Sequence, residues 1–404
     1  MTMRPFTATI PFADARAQVM AAAVPTTRVE RVRLADADNR VAAADVGSAV
    51  DVPPFSRAAM DGCAVMAADT AGAGRDAPRT LTCIDRVFTG QMPSRRLEPG
   101  TCIEIATGAV LPDGADAVVM VEETTREGDV VRVLGAVSPG QNVGRQGADL
   151  SVGQVVIAAG QVLNPARIGA LAATGIGEVD VFARPSVAIF STGDELALPG
   201  QLLGPGQIYD INRFTLEAIV GRHGGTSTAL PIVGDSIEAL GAALDAAGGH
   251  DIIVTSGGSS VGERDLMLDA LRARGSVQFH GIAVKPGKPT AFGSIGDTPV
   301  FLMPGYPTSC LSNGYLLLAP FLRAVAHLLP WEPRSIRLRL TRRIASANAR
   351  HQFYTVRLTD EGAEPAFKAS GDITSMAHAD GYIEIPAGTD VVEAGTVVGV
   401  TLFA

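Results

Sequence analysis

Asp251 to Met267, DIIVTSGGSSVGERDLM, constrains the fold more than any other stretch of this 404-residue chain. Ile252, Ile253 and Val254 form a short β-branched apolar run. Such a run predicts a strand buried on both faces, the kind found in parallel sheets. Ser256, Gly257, Gly258, Ser259, Ser260 and Gly262 come next, and then Leu266, Ala270 and Leu271 recur at helical spacing. Strand, Gly/Ser turn and helix make the layout of an anion site. N–H groups of the turn and the helix start face outward, and Gly lets the backbone approach a ligand closely. The turn is neither GxGxxG nor a P-loop, because Glu263 and Arg264 follow Gly262 where a P-loop carries Lys and a hydroxyl. Asp265 has two readings. In a first helical turn its carboxylate is favoured by the helix dipole by roughly 0.3–1 kcal/mol. Alternatively it faces the same ligand as the turn, and a carboxylate beside a phosphate requires a divalent cation or a proton between them. The second reading predicts a phosphate-bearing ligand with Mg²⁺ nearby.

The same layout recurs along the chain. Val187 to Phe190 reads as a second buried strand, ending in Ser191, Thr192, Gly193, Asp194 and Glu195. Two adjacent acids at the carboxyl end of a strand stand where open α/β sheets place their chemistry. Ile208 to Asn212 leads into a helix through Leu216, Ile219 and Val220, with Asn212 as the expected N-cap. Ala229 to Val233 is expected as a strand, and Asp235 as the cap of the helix carrying Ile237, Leu240 and Leu244. Pro299 to Met303 leads into Pro304, Gly305, Tyr306 and Pro307, and a long helix to about Leu329. Strands alternating with helices, with the ligand loops all after strands, predict a doubly wound sheet with both faces covered.

The flanks read differently. Short alternating strands from about Gly62 to Val137, parted by Pro and Gly, predict a small β domain, and residues 335–404 predict another. Asp51-Val52-Pro53-Pro54 and Pro330-Trp331-Glu332-Pro333 read as linkers.

Composition adds one sharp fact. Three lysines, Lys285, Lys288 and Lys368, stand against thirty arginines, and two of them lie in Lys285-Pro286-Gly287-Lys288-Pro289. A coding bias towards Arg with a chance cluster is one account. The other is that these two positions need a compact ammonium that guanidinium cannot imitate. Net charge is −9, which indicates no general nucleic-acid surface. No run approaches eighteen apolar residues and the first residues lack an apolar signal region, so neither a membrane nor secretion is expected and the expected compartment is the cytoplasm. Cys63, Cys83, Cys102 and Cys310 contain no CxxC pair, which argues against structural zinc.

Taken together, these motifs resemble the molybdopterin molybdenumtransferase family, which includes bacterial MoeA proteins and the E domain of gephyrin. The resemblance runs end to end. It rests on Ala59-Met60-Asp61-Gly62, Gly144 to Asp149, Ser191 to Leu196, Ile208 to Arg213, Ser256 to Asp265, Lys285 to Pro289 and Pro304 to Ser309. It implies a multidomain α/β plus β chain with a central doubly wound, mostly parallel α/β domain at 184–330 that binds molybdopterin. An N-terminal mixed linking domain would comprise 1–51 and 138–183, an inserted small β domain 52–137, and a C-terminal β domain 331–404. The implied reaction takes adenylated molybdopterin, hydrolyses the adenylate with Mg²⁺, releases AMP and inserts molybdate, the second substrate, into the dithiolene. The implied partners are a second copy in a homodimer and the adenylyltransferase that supplies the substrate.

Carried over position by position, the resemblance implies catalytic roles for Asp61, Asp149, Glu195, Asp235 and Asp265. Glu195, Asp235 and Asp265 would hold Mg²⁺. Asp61 and Asp149 would come from the partner subunit. Substrate-binding roles fall to Thr192, Gly193, Asp194, Ser256, Gly257, Gly258, Ser259 and Gly262, and, around molybdate, to Lys285, Lys288, Ser309 and Ser370. Four positions depart from the family pattern. Gly281 replaces a Lys before the Lys-Pro-Gly-Lys turn, Thr355 an Arg near molybdate, Tyr306 the Asn of Pro-Gly-Asn-Pro, and Cys63 the Tyr after Met-Asp-Gly. Arg357 shares a strand face with Thr355, which leaves open a partial substitution for the missing charge. The departures keep open an alternative, a non-catalytic paralogue that binds or carries molybdopterin or the finished cofactor.

Overall fold

The computed structural model describes residues 9–257, 265–346 and 349–403. The expected Gly258, Ser259 and Gly262 of the turn lie outside the described residues. The chain divides into two compact units, one of Arg31–Val181 and one that joins the segment up to Glu30 to Phe182–Ala404.

Helix α1 (Phe12–Ala21) buries Phe12, Ala15 and Val19, spaced along one stripe, in the core of the larger unit. The Arg31–Val181 unit contains strands β1 (Gly62–Val65), β2 (Arg79–Val87), β3 (Thr101–Ile105), β4 (Ala117–Met120), β5 (Thr124–Glu127) and β6 (Val130–Val133). They form one six-stranded sheet in the order β4-β1-β3-β2-β6-β5. It buries a hydrophobic cluster on each face, Val65, Leu81, Val119 and Val133 in one and Ala64, Ile103, Ile105 and Val118 in the other. Helix α2 (Pro165–Ala173) follows, with Asn164 as N-cap accepting from Arg167 N–H and Pro at the start, where its missing donor costs nothing.

The larger unit holds the doubly wound sheet. Its elements are β7 (Ser186–Ser191), α3 (Asn212–Arg222), β8 (Thr226–Ala229), α4 (Ile237–Ala246), β9 (Ile252–Ser256), α5 (Leu266–Arg272), β10 (Ser276–His280), β11 (Val284–Lys285), β12 (Ala291–Ile295) and β13 (Thr298–Met303). The sheet order is β8-β7-β9-β13-β12-β10. The first four strands run parallel. The last two are antiparallel additions at one edge. Alternate residues of each strand face opposite layers. Val187, Ile189, Ile252, Val254 and Phe301 pack with α1 and α3, while Ala188, Phe190, Ile253, Val300 and Leu302 pack with α4 and α5. The all-apolar runs seen in the sequence are therefore buried on both sides, as parallel strands covered by helices must be.

Three local expectations are corrected. The strand expected at Ala229–Val233 ends at Ala229; beyond it, Val233 makes one parallel bridge with Thr192. Asn212 is not the cap of α3 but its first residue, and Asp210 Oδ1 instead accepts from Arg213 N–H at 3.2 Å. The cap of α4 is Ser236, accepting from Ala239 N–H at 3.1 Å, rather than Asp235.

The long helix expected to run to about Leu329 is broken. It consists of α6 (Pro307–Asn313), a π-turn over Gly314–Leu318, and α7 (Ala319–Val325). Pro320 has no N–H for the carbonyl four residues before it and its ring crowds that carbonyl, so the helix widens there. Further strands of the larger unit are β14 (Ser335–Arg339), β15 (His351–Thr359), β16 (Gly362–Pro365), β17 (Gly381–Ile385) and β18 (Val397–Leu402). They form a sheet in the order β11-β15-β17-β18-β14, with β16 paired to β15. Strand β11, which carries Lys285, thus belongs to this sheet and not to the central one.

Candidate functional site

Loops that leave the carboxyl ends of β7, β9 and β13 meet at Gly257. Its N–H donates to Met303 O at 3.2 Å, and its φ is +93°. A Cβ there would lie 2.3 Å from Thr192 O, and a Cβ on Gly305 would lie 3.5 Å from Gly257 Cα. Only glycine lets three backbones pass this closely in that conformation. Ser191 and Ser256, the last residues of β7 and β9, share a hydroxyl hydrogen bond of 3.1 Å, and Thr192 N–H donates to Ser256 O. Gly257, the residue that leaves β9, is thus held against two neighbouring strand ends, at the crevice in which open α/β sheets bind ligands.

Acids gather beside it. Asp194 and Glu195 follow Gly193, whose N–H donates to Val233 O at 3.1 Å. Asp194 Oδ1 accepts from Asp235 N–H at 3.3 Å. Partial burial, then the Asp194 carboxylate, then that of Glu195, push the Asp235 carboxyl group above its usual range. A carboxyl group whose proton affinity is raised by burial and by two neighbouring carboxylates marks a place that a cation stabilises. Asp265 is the N-cap of α5, its Oδ1 accepting from Leu268 N–H at 3.0 Å, and its Oδ2 lies 3.3 Å from His280 Nε2. The bland reading of Asp265 therefore holds for one oxygen, while the other faces a ring nitrogen. Among the described residues no group of three His, Cys, Asp or Glu side chains forms a ready-made metal cage, so Glu195, Asp235 and Asp265 are not a closed set.

Three buried polar atoms near the strand ends have no hydrogen-bond partner among the described residues: Thr192 Oγ1, Asp210 Oδ2 and Asn212 Oδ1. Asn212 Nδ2 donates to Gly305 O at 2.8 Å, and Asn212 stands inside α3 rather than at its cap position. Asp210 is 2% exposed, and its charge, after burial, helps raise the Cys310 thiol. Buried acceptors without donors mark places for a ligand or water. Asp210 and Asn212 were not among the expected site residues. Their signal was the Ile208-Tyr209-Asp210-Ile211-Asn212 run, polar residues at a helix start, which reads equally as capping.

The second wall is built from the Lys-Pro-Gly-Lys turn, α6 and the 370–372 segment. Gly287, at φ +106°, has its carbonyl held by Asn313 Nδ2 at 3.1 Å and by Thr290 Oγ1 at 2.8 Å. A Cβ on Gly287 would lie 2.3 Å from Asn313 Nδ2. The turn that carries Lys285 and Lys288 is therefore clamped by a fully buried side chain of α6. Thr308 N–H donates to Ser370 O at 3.0 Å and Thr308 Oγ1 to Asp372 O at 3.0 Å. This ties the start of α6, with Ser309 buried next to Thr308, to the segment bearing Ser370. The partial substitution left open for the missing Arg is not present. Thr355 is fully buried, with Oγ1 unpartnered among the described residues, whereas Arg357 lies past the covered part of β15 and pairs with Glu364 at 2.9 Å. Strand alternation put both on one side, but the cover ends between them.

Asp61 and Asp149 belong to the other unit. Asp61 Oδ1 accepts from Thr107 N–H at 2.8 Å, and Asp149 N–H donates to Val52 O at 2.9 Å.

Comparison with known proteins agrees in extent. Residues 10–175 match the profile of the MoeA N-terminal region (domain I and II), residues 188–324 that of a probable molybdopterin binding domain, and residues 337–403 that of the MoeA C-terminal region (domain IV). A curated relative from Mycobacterium tuberculosis, molybdopterin molybdenumtransferase 2, is 36% identical over 94% of this chain and 95% of its own length. The molybdopterin molybdenumtransferase of a Nostoc species is 34% identical over 91% of this chain and 87% of its own. A crystal structure of the molybdopterin biosynthesis MoeA protein from Pyrococcus horikoshii superposes with a TM-score of 0.84 at 38% identity, covering 98% of this chain and all of that one.

Proposed function

The chain belongs to the molybdopterin molybdenumtransferase (MoeA) family, transferases of molybdenum cofactor biosynthesis, and on that premise we propose that it takes adenylated molybdopterin, releases AMP and inserts molybdate into the pterin dithiolene. The observation that carries the reading is the meeting of three strand-end loops at Gly257 beside Asp194, Glu195 and Asp235.

In this reading the Gly/Ser turn after β9 and the Thr192 hydroxyl hold the phosphate, with Gly193 beside them. Mg²⁺ suits a donor set of carboxylate oxygens, and a cation near Asp235 would offset the burial and the Asp194 and Glu195 charges that raise its carboxyl group. Asp235, Glu195 and Asp265 are its proposed protein ligands, with phosphate oxygens and water completing the shell, as Mg²⁺ commonly requires. When bound, the ion neutralises charge that develops on the cleaved phosphate. The carboxylates of Asp61, Asp149 and Asp194 then orient the attacking water and bind the pterin, Asp61 and Asp149 reaching in from the partner of a homodimer. Lys285, Lys288, Ser309 and Ser370 hold molybdate, a small dianion suited to converging ammonium and hydroxyl donors. The division into 1–51 with 138–183, 52–137, 184–330 and 331–404, the cytoplasmic setting and an adenylyltransferase as supplier are parts of the same proposal.

One observation favours a second reading. With Thr355 buried and Arg357 paired to Glu364, the molybdate wall has one guanidinium fewer, as a pterin or cofactor carrier would tolerate. Complementation separates the two. Restored molybdoenzyme activity in a bacterial strain lacking its own transferase supports insertion. No restoration, together with tight pterin binding by calorimetry that is indifferent to molybdate, supports the carrier.

A further inference from the structure

The Arg31–Val181 unit contains a thiol cluster that the proposed function does not use. Cys63 on β1, Cys102 on β3 and Cys83 on β2 lie on three adjacent strands and in one apolar cluster with Val65, Leu81 and Val131. Cys83 and Cys102 are register partners, and Cys63 stands opposite Glu104, so it reaches Cys102 along the diagonal of the same face. The Cys102 thiol is the common neighbour of the other two. All three are reduced and no more than 7% exposed. Cys63 nevertheless lines a cavity of about 210 Å³, with Asp61, Phe88, Glu104 and Arg126 around it. Arg126 is ion-paired with Glu104, and its guanidinium also interacts electrostatically with the Cys63 and Cys83 sulfurs.

We propose that Cys63 and Cys102 form a peroxide-sensitive modification site, with Cys63 the thiol attacked from the cavity and Cys102 the thiol that resolves it into a disulfide. The chemistry balances with hydrogen peroxide as the oxidant. The Cys63 sulfur attacks one peroxide oxygen, the O–O bond breaks, water leaves with the thiol proton, and Cys63 becomes a sulfenic acid. The Cys102 sulfur then attacks the Cys63 sulfur, the S–O bond breaks, a second water leaves and the S–S bond forms. Two thiols lose two electrons to one peroxide.

Three features select Cys63 over the other thiols. It has an entry route, whereas Cys310 is fully buried. A partner thiol already neighbours it on the same sheet face, the arrangement of a reactive and a resolving cysteine. The neighbouring Cys102 thiol lowers the Cys63 thiol, against burial and the Glu104 carboxylate and with Arg126 acting in the same direction, while Cys102 itself is pushed up by Cys63 and by burial, so Cys63 is the thiol of the pair that attacks first. A lowered thiol reacts faster because the thiolate is the nucleophile. The consequence is local to β1: the S–S bond would pin β1 to β3 two residues beyond Asp61.

The test uses the full chain in native buffer, with circular dichroism to show that it stays folded. It is treated with stoichiometric hydrogen peroxide and mapped by peptide mass spectrometry. The expected result is a Cys63–Cys102 disulfide that forms at least about tenfold faster than any oxidation of Cys310. In Cys102→Ser the same treatment should leave a Cys63 sulfenic acid that a dimedone-type probe captures. Equal oxidation of Cys63 and Cys310, a Cys83–Cys102 disulfide with Cys63 still reduced, or no thiol loss in the folded wild type would each overturn the proposal. The wild-type mapping decides it even if the serine variant fails to fold.

Discussion

At the scale of single residues, Asp265 combines two roles that one substitution separates. Asn caps a helix about as well as Asp, so Asp265→Asn should keep the bond from Leu268 N–H and leave thermal stability within about 0.5 kcal/mol. AMP release should fall by at least about 100-fold, measured under single-turnover conditions. Undiminished release would reduce Asp265 to a cap. His223 gives a pH dependence with a definite sign. Burial, then the charges of Arg323 and Arg222, lower it to about 4. In the unfolded chain it titrates near ~6.5. Between these values the unfolded chain binds more protons than the folded one, so the stability His223 confers is complete above pH ~6.5 and drains away as pH falls towards 4. Its ring stands edge-on to Trp331, the single tryptophan, with centroids 5.0 Å apart, so tryptophan fluorescence should report the titration. Urea unfolding at pH 7 and pH 4.5 should show wild type losing on the order of 2 kcal/mol more than His223→Phe. Equal losses would mean that the buried ring is not what titrates.

Among elements, the strand-turn-helix units were legible because strands covered on both faces must be apolar throughout, and their Gly/Ser ends are then the only polar segments between long buried runs. What stayed hidden depends on which segments meet in space. Asn212 was read as a cap, and its amide instead reaches Gly305, 93 positions along the chain. Asp235 and Ser236 were both suitable caps, and local geometry chose the second. Pro320 was visible, but a proline inside an apolar helical pattern predicts a kink or an end as readily as a π-turn. Likewise, the sequence showed a Lys-Pro-Gly-Lys turn without showing its clamp. Asn313 is fully buried, and its amide holds Gly287 O and Thr290 Oγ1. Asn313→Ala should cost about 1–3 kcal/mol in thermal unfolding, since two buried acceptors lose their donor. It should also loosen the turn. Molybdate binding by calorimetry should weaken at least about tenfold, and unchanged affinity would place the lysines outside the molybdate site.

For the whole molecule, the family assignment rests on a match across nearly the full length, while the chemistry rests on a few square nanometres where strand ends converge. The sequence located that region because its motifs sit after successive strands. It could not show that Arg357 would be committed to Glu364, because the point where β15 loses its cover is set by the surrounding domain. The proposed anion wall therefore lacks the guanidinium that the resemblance implies, and turnover must be measured directly. The purified protein should be incubated with adenylated molybdopterin, Mg²⁺ and molybdate, and AMP and pterin-bound molybdenum counted in one reaction. The proposed insertion requires AMP release that depends on Mg²⁺, with about one molybdenum bound per AMP released. Pterin that stays adenylated while bound, with no molybdenum incorporated, would contradict it.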